Sequence, residues 1–195
     1  MRPPKFKFAE SYELRVKEPS GLAYIPELDR FVAIDDSSRT LVLFELTKHK
    51  LKAAHLDSRP HKKDKVSDFE GVTYDSERRR LITVSERSRR IRTFRLLAKR
   101  PTSKPSGLEQ IGEARLPKLG DNPNKGIEGL AFLPGRFAPD NRSPGKLDLA
   151  KVQRFDIEER DTGKIKQPEG IVFDNDGDLY LTSEGSCRVY RYKRC

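Results

Sequence analysis

Ser20-Gly21-Leu22-Ala23-Tyr24, Glu70-Gly71-Val72-Thr73-Tyr74, Glu128-Gly129-Leu130-Ala131-Phe132 and Glu169-Gly170-Ile171-Val172-Phe173 are four copies of one short phrase. Each sets Ser or Glu before glycine and then alternates toward an aromatic, the period-two pattern of a strand with two unlike faces. Three of the four open on Glu. Such self-similarity decides architecture before any single element is assigned, because each copy is a unit that cannot bury its apolar face alone.

After the first, second and fourth copies a turn leads into a second expected strand: Arg30 to Asp36, Arg80 to Glu86 and Asp178 to Glu184. Each ends in an acid. Ser20 to Asp36 and Glu70 to Glu86 both span 16 positions, and Glu169 to Glu184 spans 15. Third strands rich in β-branched and aromatic residues follow at Thr40 to Leu46, Arg90 to Leu97 and Arg188 to Tyr192. Fourth strands fit Leu51 to Leu56 and Gln110 to Leu116.

Four short antiparallel strands per unit of roughly 40 to 50 residues is the signature of β-propeller blades. The expected fold is therefore all-β, a propeller-like array of four-stranded antiparallel blades in a single domain over residues 1–195. The last repeat reaches Cys195 after three strands, and Phe6 to Val16 alternates well enough to supply the fourth and close the array. Closure matters because blades are stable when they cover each other's apolar faces and leave few free edges.

The third repeat breaks after Phe132. Pro134, Gly135, Pro139, Asp140, Asn141, Pro144 and Gly145 interrupt it, and Asp156 to Asp161 is charged. Val152 to Ile157 has the composition for one strand, so the array is expected to be incomplete or to carry one degenerate blade. His55 to Lys65 and Leu97 to Leu108 read as exposed loops.

Charged residues make up 36% of the chain and apolar ones 34%, yet the apolar ones cluster, which argues for a folded chain with charged loops. Lys and Arg outnumber Asp and Glu by 40 to 30, a net charge of +10 that favours an acidic partner or an anionic surface. Basic residues gather at Lys62-Lys63, Arg78 to Arg80 and Arg87 to Arg95, and Arg90, Arg92 and Arg95 flanking Ile91 and Phe94 read as a solvated strand face. Nucleic acid is disfavoured because Phe94 is the lone aromatic among them, where base stacking needs several.

Cys187 and Cys195, the two cysteines, form no framework or metal pattern and read as free thiols. Met1 to Phe8 is basic without the apolar stretch of a secretory signal, and no apolar run approaches membrane-spanning length. His49, His55 and His61 lack zinc-ligand spacing. Asp174-Asn175-Asp176-Gly177-Asp178 resembles a Ca²⁺ loop superficially, but it lacks the later bidentate Glu and falls between two strands, as a hairpin turn does.

Two longer stretches are more specific. Asn124-Lys125-Gly126-Ile127-Glu128-Gly129-Leu130-Ala131 and Ile165-Lys166-Gln167-Pro168-Glu169-Gly170-Ile171, the latter continuing to Leu179-Tyr180-Leu181-Thr182-Ser183-Glu184, resemble the SdiA-regulated β-propeller family. Pro19-Ser20-Gly21-Leu22 and Asp68-Phe69-Glu70-Gly71 are similar matches. The resemblance implies a bacterial envelope or periplasmic protein without a firmly assigned enzymatic activity, with Ca²⁺ bound at the Glu-Gly positions.

Equivalent positions of successive blades surround one axis, so Glu70, Glu128 and Glu169 are expected to converge near a central channel. Crowded carboxylates repel unless a cation or backbone N–H groups neutralise them. Ca²⁺, which takes about six to eight hard oxygen ligands, suits such a set. The other reading makes these carboxylates caps on backbone N–H groups of the neighbouring blade, with glycine permitting close approach. Asp36, Glu86 and Glu184 form a second series at strand ends.

No Gly-x-Ser-x-Gly elbow, His-Glu-x-x-His helix or phosphate-cradling loop occurs, so the parts for nucleophilic, zinc-protease and nucleotide chemistry are missing. Two functions stay open. One is a non-catalytic Ca²⁺-binding scaffold or binding module of the bacterial envelope. The other, by fold-level analogy, is a calcium-dependent hydrolase of the lactonase, esterase or phytase-like kind with Glu70, Glu128 and Glu169 as ligands and Glu86 or Glu184 as base.

Overall fold

A computed structural model describes residues 5–36, 40–48, 50–57, 69–97, 107–116, 129–131, 157–158 and 165–195, with backbone alone at 40, 54–57 and 157–158. Thirteen strands occur among these residues. They are β1 Phe6–Glu13, β2 Pro19–Ile25, β3 Arg30–Asp35, β4 Thr40–Thr47, β5 Lys50–Asp57, β6 Phe69–Asp75 and β7 Arg80–Ser85. β8 Arg90–Leu97, β9 Gly107–Arg115, β10 Ile157–Glu158, β11 Pro168–Phe173, β12 Leu179–Ser183 and β13 Arg188–Arg194 follow.

The strands form three sheets with the expected all-β, propeller-like organisation. The first repeat is β2-β3-β4-β5 and the second is β6-β7-β8-β9, both antiparallel throughout. The fourth repeat is completed by the N-terminal strand, giving β11-β12-β13-β1, with β1 antiparallel to β13 from Phe6↔Arg194 to Glu13↔Arg188. Beyond β1 lies β10, parallel to it through Phe6↔Ile157 and Lys7↔Glu158. Of the expected strand at Val152 to Ile157, only its last residue falls among the described ones.

The three sheets stack side by side, and the middle one explains why its strands read as nearly continuous apolar runs. One face of the β2–β5 sheet presents Ala23, Ile25, Val32, Ile34, Leu41 and Leu43 to Phe69, Val72, Tyr74, Leu81 and Phe94 of the second repeat. Its other face packs Leu22, Tyr24, Phe31, Ala33, Val42 and Phe44 against Tyr180 and Val189 of the fourth. Phe31 lies against Tyr24, Phe44 and Tyr180, with ring centroids 4.5 to 5.4 Å apart. Leu14 and Val16, expected to belong to the first strand, instead form the buried link from β1 to β2. A sheet covered on both faces keeps no polar alternation.

Two expectations shift for reasons of packing. β9 starts at Gly107, inside the stretch read as a loop, because Leu108 joins the core between the first and second repeats. Arg92, read as part of a solvated face, is 3% exposed. Its charge is met by Glu113 at 3.0 Å and Ser85 Oγ at 3.1 Å, and its guanidinium lies 5.8 Å from the centre of the Phe69 ring. A buried cation is tolerable only with such partners.

Candidate functional site

The chemistry gathers where the innermost strands begin. In all three sheets the pairing of the first strand with the second slips at the same place: between Pro19 and Leu22, between Phe69 and Gly71, and between Pro168 and Ile171. A bulge bends its strand and redirects a side chain, and here it falls on the Ser20, Glu70 and Glu169 positions. The sequence signal for it is the Ser/Glu-Gly pair itself.

Glycine is required there because successive repeats meet backbone to backbone. A Cβ on Gly21 would stand 2.7 Å from the Val72 amide nitrogen, 3.0 Å from the Glu70 carbonyl oxygen and 3.1 Å from Gly71 Cα. One on Gly71 would stand 3.1 Å from the Leu130 nitrogen, and one on Gly170 would stand 2.7 Å from the Leu22 nitrogen. The phrases thus lie in the order fourth, first, second, third around a common axis. For Gly129 no atom lies within 4 Å among the described residues.

Polar side chains lace the same seam. Ser20 Oγ donates to the Glu70 carbonyl at 2.8 Å and lies 3.1 Å from Glu70 Oε2. Buried Thr182 accepts from the Gly170 amide at 2.8 Å and donates to the Ser20 carbonyl at 2.8 Å. One hydroxyl therefore satisfies two backbone groups on neighbouring sheets.

At the mouth of the axis Glu18, Ser20, Asp36, Glu70, Glu169 and Glu184 surround a cavity of about 150 Å³. Antiparallel pairing places them together: Glu70 and Glu169 sit at the starts of first strands, and Asp36 and Glu184 follow the ends of second strands. Below it a channel of about 380 Å³ is lined by the four glycines and by Leu22, Val72, Leu130 and Ile171. Glu169, whose residue is exposed, borders both spaces.

The structure therefore brings Glu70 and Glu169 to one mouth, with Ser20 at the equivalent position of the first repeat. Glu128 lies outside the described residues. Of the second acidic series Asp36 and Glu184 border the mouth, and Glu86 is not among its lining residues. Glu184 accepts from Gln167 Nε2 at 3.2 Å, while its amide donates to the Gln167 carbonyl at 3.1 Å. The donor chemistry, carboxylates with a hydroxyl and nearby carbonyls, suits a hard divalent cation. Among the described residues, however, no three His, Cys, Asp or Glu side chains are grouped so as to hold a metal ion.

Elsewhere the polar groups serve the scaffold. Asp174 closes the β11–β12 hairpin as expected of a turn, its Oδ1 accepting from the Asp176 and Asp178 amides at 3.0 and 2.9 Å, with Gly177 at φ +79°. At the strand ends opposite the mouth, Tyr24 donates to Asp29 at 2.7 Å and Tyr180 to Asp174 at 2.9 Å, while Tyr74 donates to Glu27 across two repeats. Burial, reinforced by those carboxylates, pushes all three phenols above the ordinary tyrosine range. Cys187 and Cys195 are free thiols, as expected. His49, His61 and the His55 side chain lie outside the described residues. No helix among the described residues is long and apolar enough to cross a membrane.

With this geometry in view, two family models match the chain. One, phytase-like, described as esterase-like activity of phytase, covers residues 15–164. The other, strictosidine synthase-like, N-terminal, covers residues 148–185. They support a β-propeller family, though not the SdiA-regulated one specifically. Comparison with curated proteins gives no match. Among solved structures a luciferin-regenerating enzyme aligns at 17% identity and a TM-score of 0.41, over 93% of this chain and 47% of that one. A streptogramin B lyase aligns at 14% identity and a TM-score of 0.38, over 94% of this chain and 54% of that one. The chain thus spans about half the length of these structures.

Proposed function

Since this chain belongs to the phytase-like family, we propose that its axial mouth is a calcium-dependent ester-hydrolysing site. The observation that carries the proposal is that five acidic residues, Glu18, Asp36, Glu70, Glu169 and Glu184, border one cavity of about 150 Å³. Glu70 and Glu169, with Glu128 of the third repeat, are the proposed cation ligands. A bound hard cation would neutralise their repulsion and polarise an ester or phosphoryl oxygen.

The remaining roles belong to side chains of the chain itself. Ser20 holds Glu70 and the Glu70 carbonyl in place, which suits it to positioning and not to attack. Glu184, on the rim and tethered by Gln167, is the proposed base for an entering water. Glu169, between mouth and channel, would orient whatever enters. The channel walls are largely glycine backbone and aliphatic side chains, so the acyl or alkyl part of an ester would find an apolar lining there.

A second reading is favoured by the hydrogen bonds from Ser20 to Glu70, which already use that carboxylate to join two sheets. In it the protein is a non-catalytic calcium-stabilised binding or scaffold module, and the finer resemblance to SdiA-regulated propellers with an envelope setting belongs to this reading.

Thermal melting in calcium and in chelator, followed by a panel of carboxylic esters, lactones and phosphate esters, separates the two. Stabilisation by calcium with turnover, both reduced in Glu70→Gln and Glu169→Gln, is the expected result. Stabilisation without turnover selects the scaffold module. Identical melting in calcium and chelator would sink both, since a ligand of the folded state must raise its stability.

A further inference from the structure

We propose that the groove between the outer strands of the fourth and first repeats is a second binding site, separate from the axial mouth, for a compact multiply charged oxyanion of the oligophosphate class. The groove runs between β1 and β5, encloses about 680 Å³ and is bordered by Ser11, Glu13, Arg15, Lys50, Lys52 and Arg188. Four cations and one acid give it a net charge of +3, and it shares no lining residue with the mouth.

Three features set these cations apart from a solvated face. First, Arg15, Lys50 and Lys52 are exposed and have no carboxylate within 4 Å among the described residues, whereas Arg30, Arg90, Arg92 and Arg191 each have one. The local reason is visible for Lys52: it pairs across the sheet with Glu45, but Arg30 holds that carboxylate at 3.0 Å. Second, Arg188 is held from behind. Its Nε and Nη2 donate to Ser11 Oγ at 3.1 and 2.9 Å, and Nη2 also reaches the Ser11 carbonyl at 3.1 Å, so the guanidinium is oriented in advance. Glu13 opposes Arg188 in register without forming an ion pair with it.

Third, the shape is concave and of small-molecule size, within the usual range of roughly 300 to 1,000 Å³ for ligand pockets. Protection of an exposed sheet edge accounts for lysines on β5. It does not account for Arg15, which lies on the link from β1 to β2, or for the anchored Arg188. Tyr12, the aromatic of the groove, is buried with its hydroxyl bound to Glu10, so no ring is offered for base stacking. Clustered cations without a carboxylate partner among the described residues, beside a fixed guanidinium, suit phosphoryl oxygens, which accept several charge-assisted hydrogen bonds at once.

Titration calorimetry with inorganic tripolyphosphate, in chelator so that no divalent cation bridges the ligand to the mouth, tests this. One saturable site is expected, weakening as salt rises. Lys50→Glu with Lys52→Glu should weaken it at least about tenfold, since four units of charge change at the site. Lys50→Arg with Lys52→Arg should retain it with unchanged unliganded melting because the side chains are exposed, while the charge-reversed variant should melt only slightly lower, since position 52 faces Glu45 across the sheet. Absence of saturable binding, unchanged affinity in the charge-reversed variant, or tighter binding of an oligoglutamate peptide would overturn the proposal. The calcium response of the mouth is measured separately and stands or falls independently.

Discussion

Replacing Gly21 by alanine should destabilise the protein, whereas the same change at Gly129 should not. The new methyl at position 21 would face the Val72 nitrogen at 2.7 Å, the Glu70 carbonyl oxygen at 3.0 Å and Gly71 Cα at 3.1 Å. All three are backbone atoms of the neighbouring repeat and cannot rotate aside. Relief requires the first and second sheets to separate by several tenths of an ångström, which disturbs the core between Ile25, Ile34, Val72 and Leu81.

Overpacking of this kind costs typically about 1 to 3 kcal/mol. The lower entropy of the unfolded alanine chain offsets about 0.4 to 1 kcal/mol of it. The expected net loss is up to about 2.6 kcal/mol, nearest that limit because all three close atoms are backbone, which for a chain of this size lowers Tm by up to roughly 5 to 10 °C. At Gly129, with open space among the described residues, the entropic gain alone remains, about 0.4 to 1 kcal/mol of stabilisation. Urea unfolding followed by far-ultraviolet circular dichroism measures both. Equal stability of the two variants would refute the backbone-to-backbone seam.

Thr182→Val, nearly isosteric, leaves the Gly170 amide and the Ser20 carbonyl without the hydroxyl they share and should cost about 1 to 3 kcal/mol in urea unfolding, with Thr182→Ser largely restoring it. Asp178→Ala should cost a similar amount, about 1 to 3 kcal/mol, because the buried carboxylate accepts from Arg191 at 2.8 and 3.0 Å and from the Arg194 amide at 3.0 Å. For Asp75, burial alone would raise the pKa, but the Arg78 amide and the Arg80 and Arg78 guanidinium groups outweigh it and hold the carboxyl below its ordinary value. That contribution is present above about pH 4 and is lost as pH falls through the depressed value, so acid unfolding of Asp75→Asn should be less steep below about pH 4. Tyr12 is pushed up to about 12 by burial and by Glu10, so its contribution is complete below about pH 10 and is lost as pH climbs through 12. Phenolate absorbance in the native protein should lag that of the unfolded chain across this range.

The repeat, the three sheets and the strand supplied from the N-terminal end were legible because one phrase recurs with nearly constant spacing to a second strand. The close approach at glycine was legible for the same reason. The burial of Arg92 was not, since a basic residue alternating along a strand looks the same whether the facing sheet covers it or water does. Only the position of Glu113 across β8–β9 shows that its charge is met. β10 was legible in part, since the strand expected at Val152 to Ile157 shares Ile157 with it, but its pairing with β1 was not, because that is fixed by a neighbour distant in sequence. The convergence of Glu70 and Glu169 followed from symmetry, but the addition of Glu18 and the separate basic groove depended on how adjacent sheets pack, which spacing within a repeat does not encode.

The pairing of β1 with β13 has a consequence for biosynthesis. A ribosome delivers Phe6 and Tyr12 well before their partners Arg194 and Val189. Until β13 arrives, β1 presents two aromatic side chains and an open strand edge, a target for holding chaperones and proteases. Any nascent chain halted before Arg188 keeps that target on display, so the sheet that joins β1 to β13 doubles as a test of whether translation ran through β13.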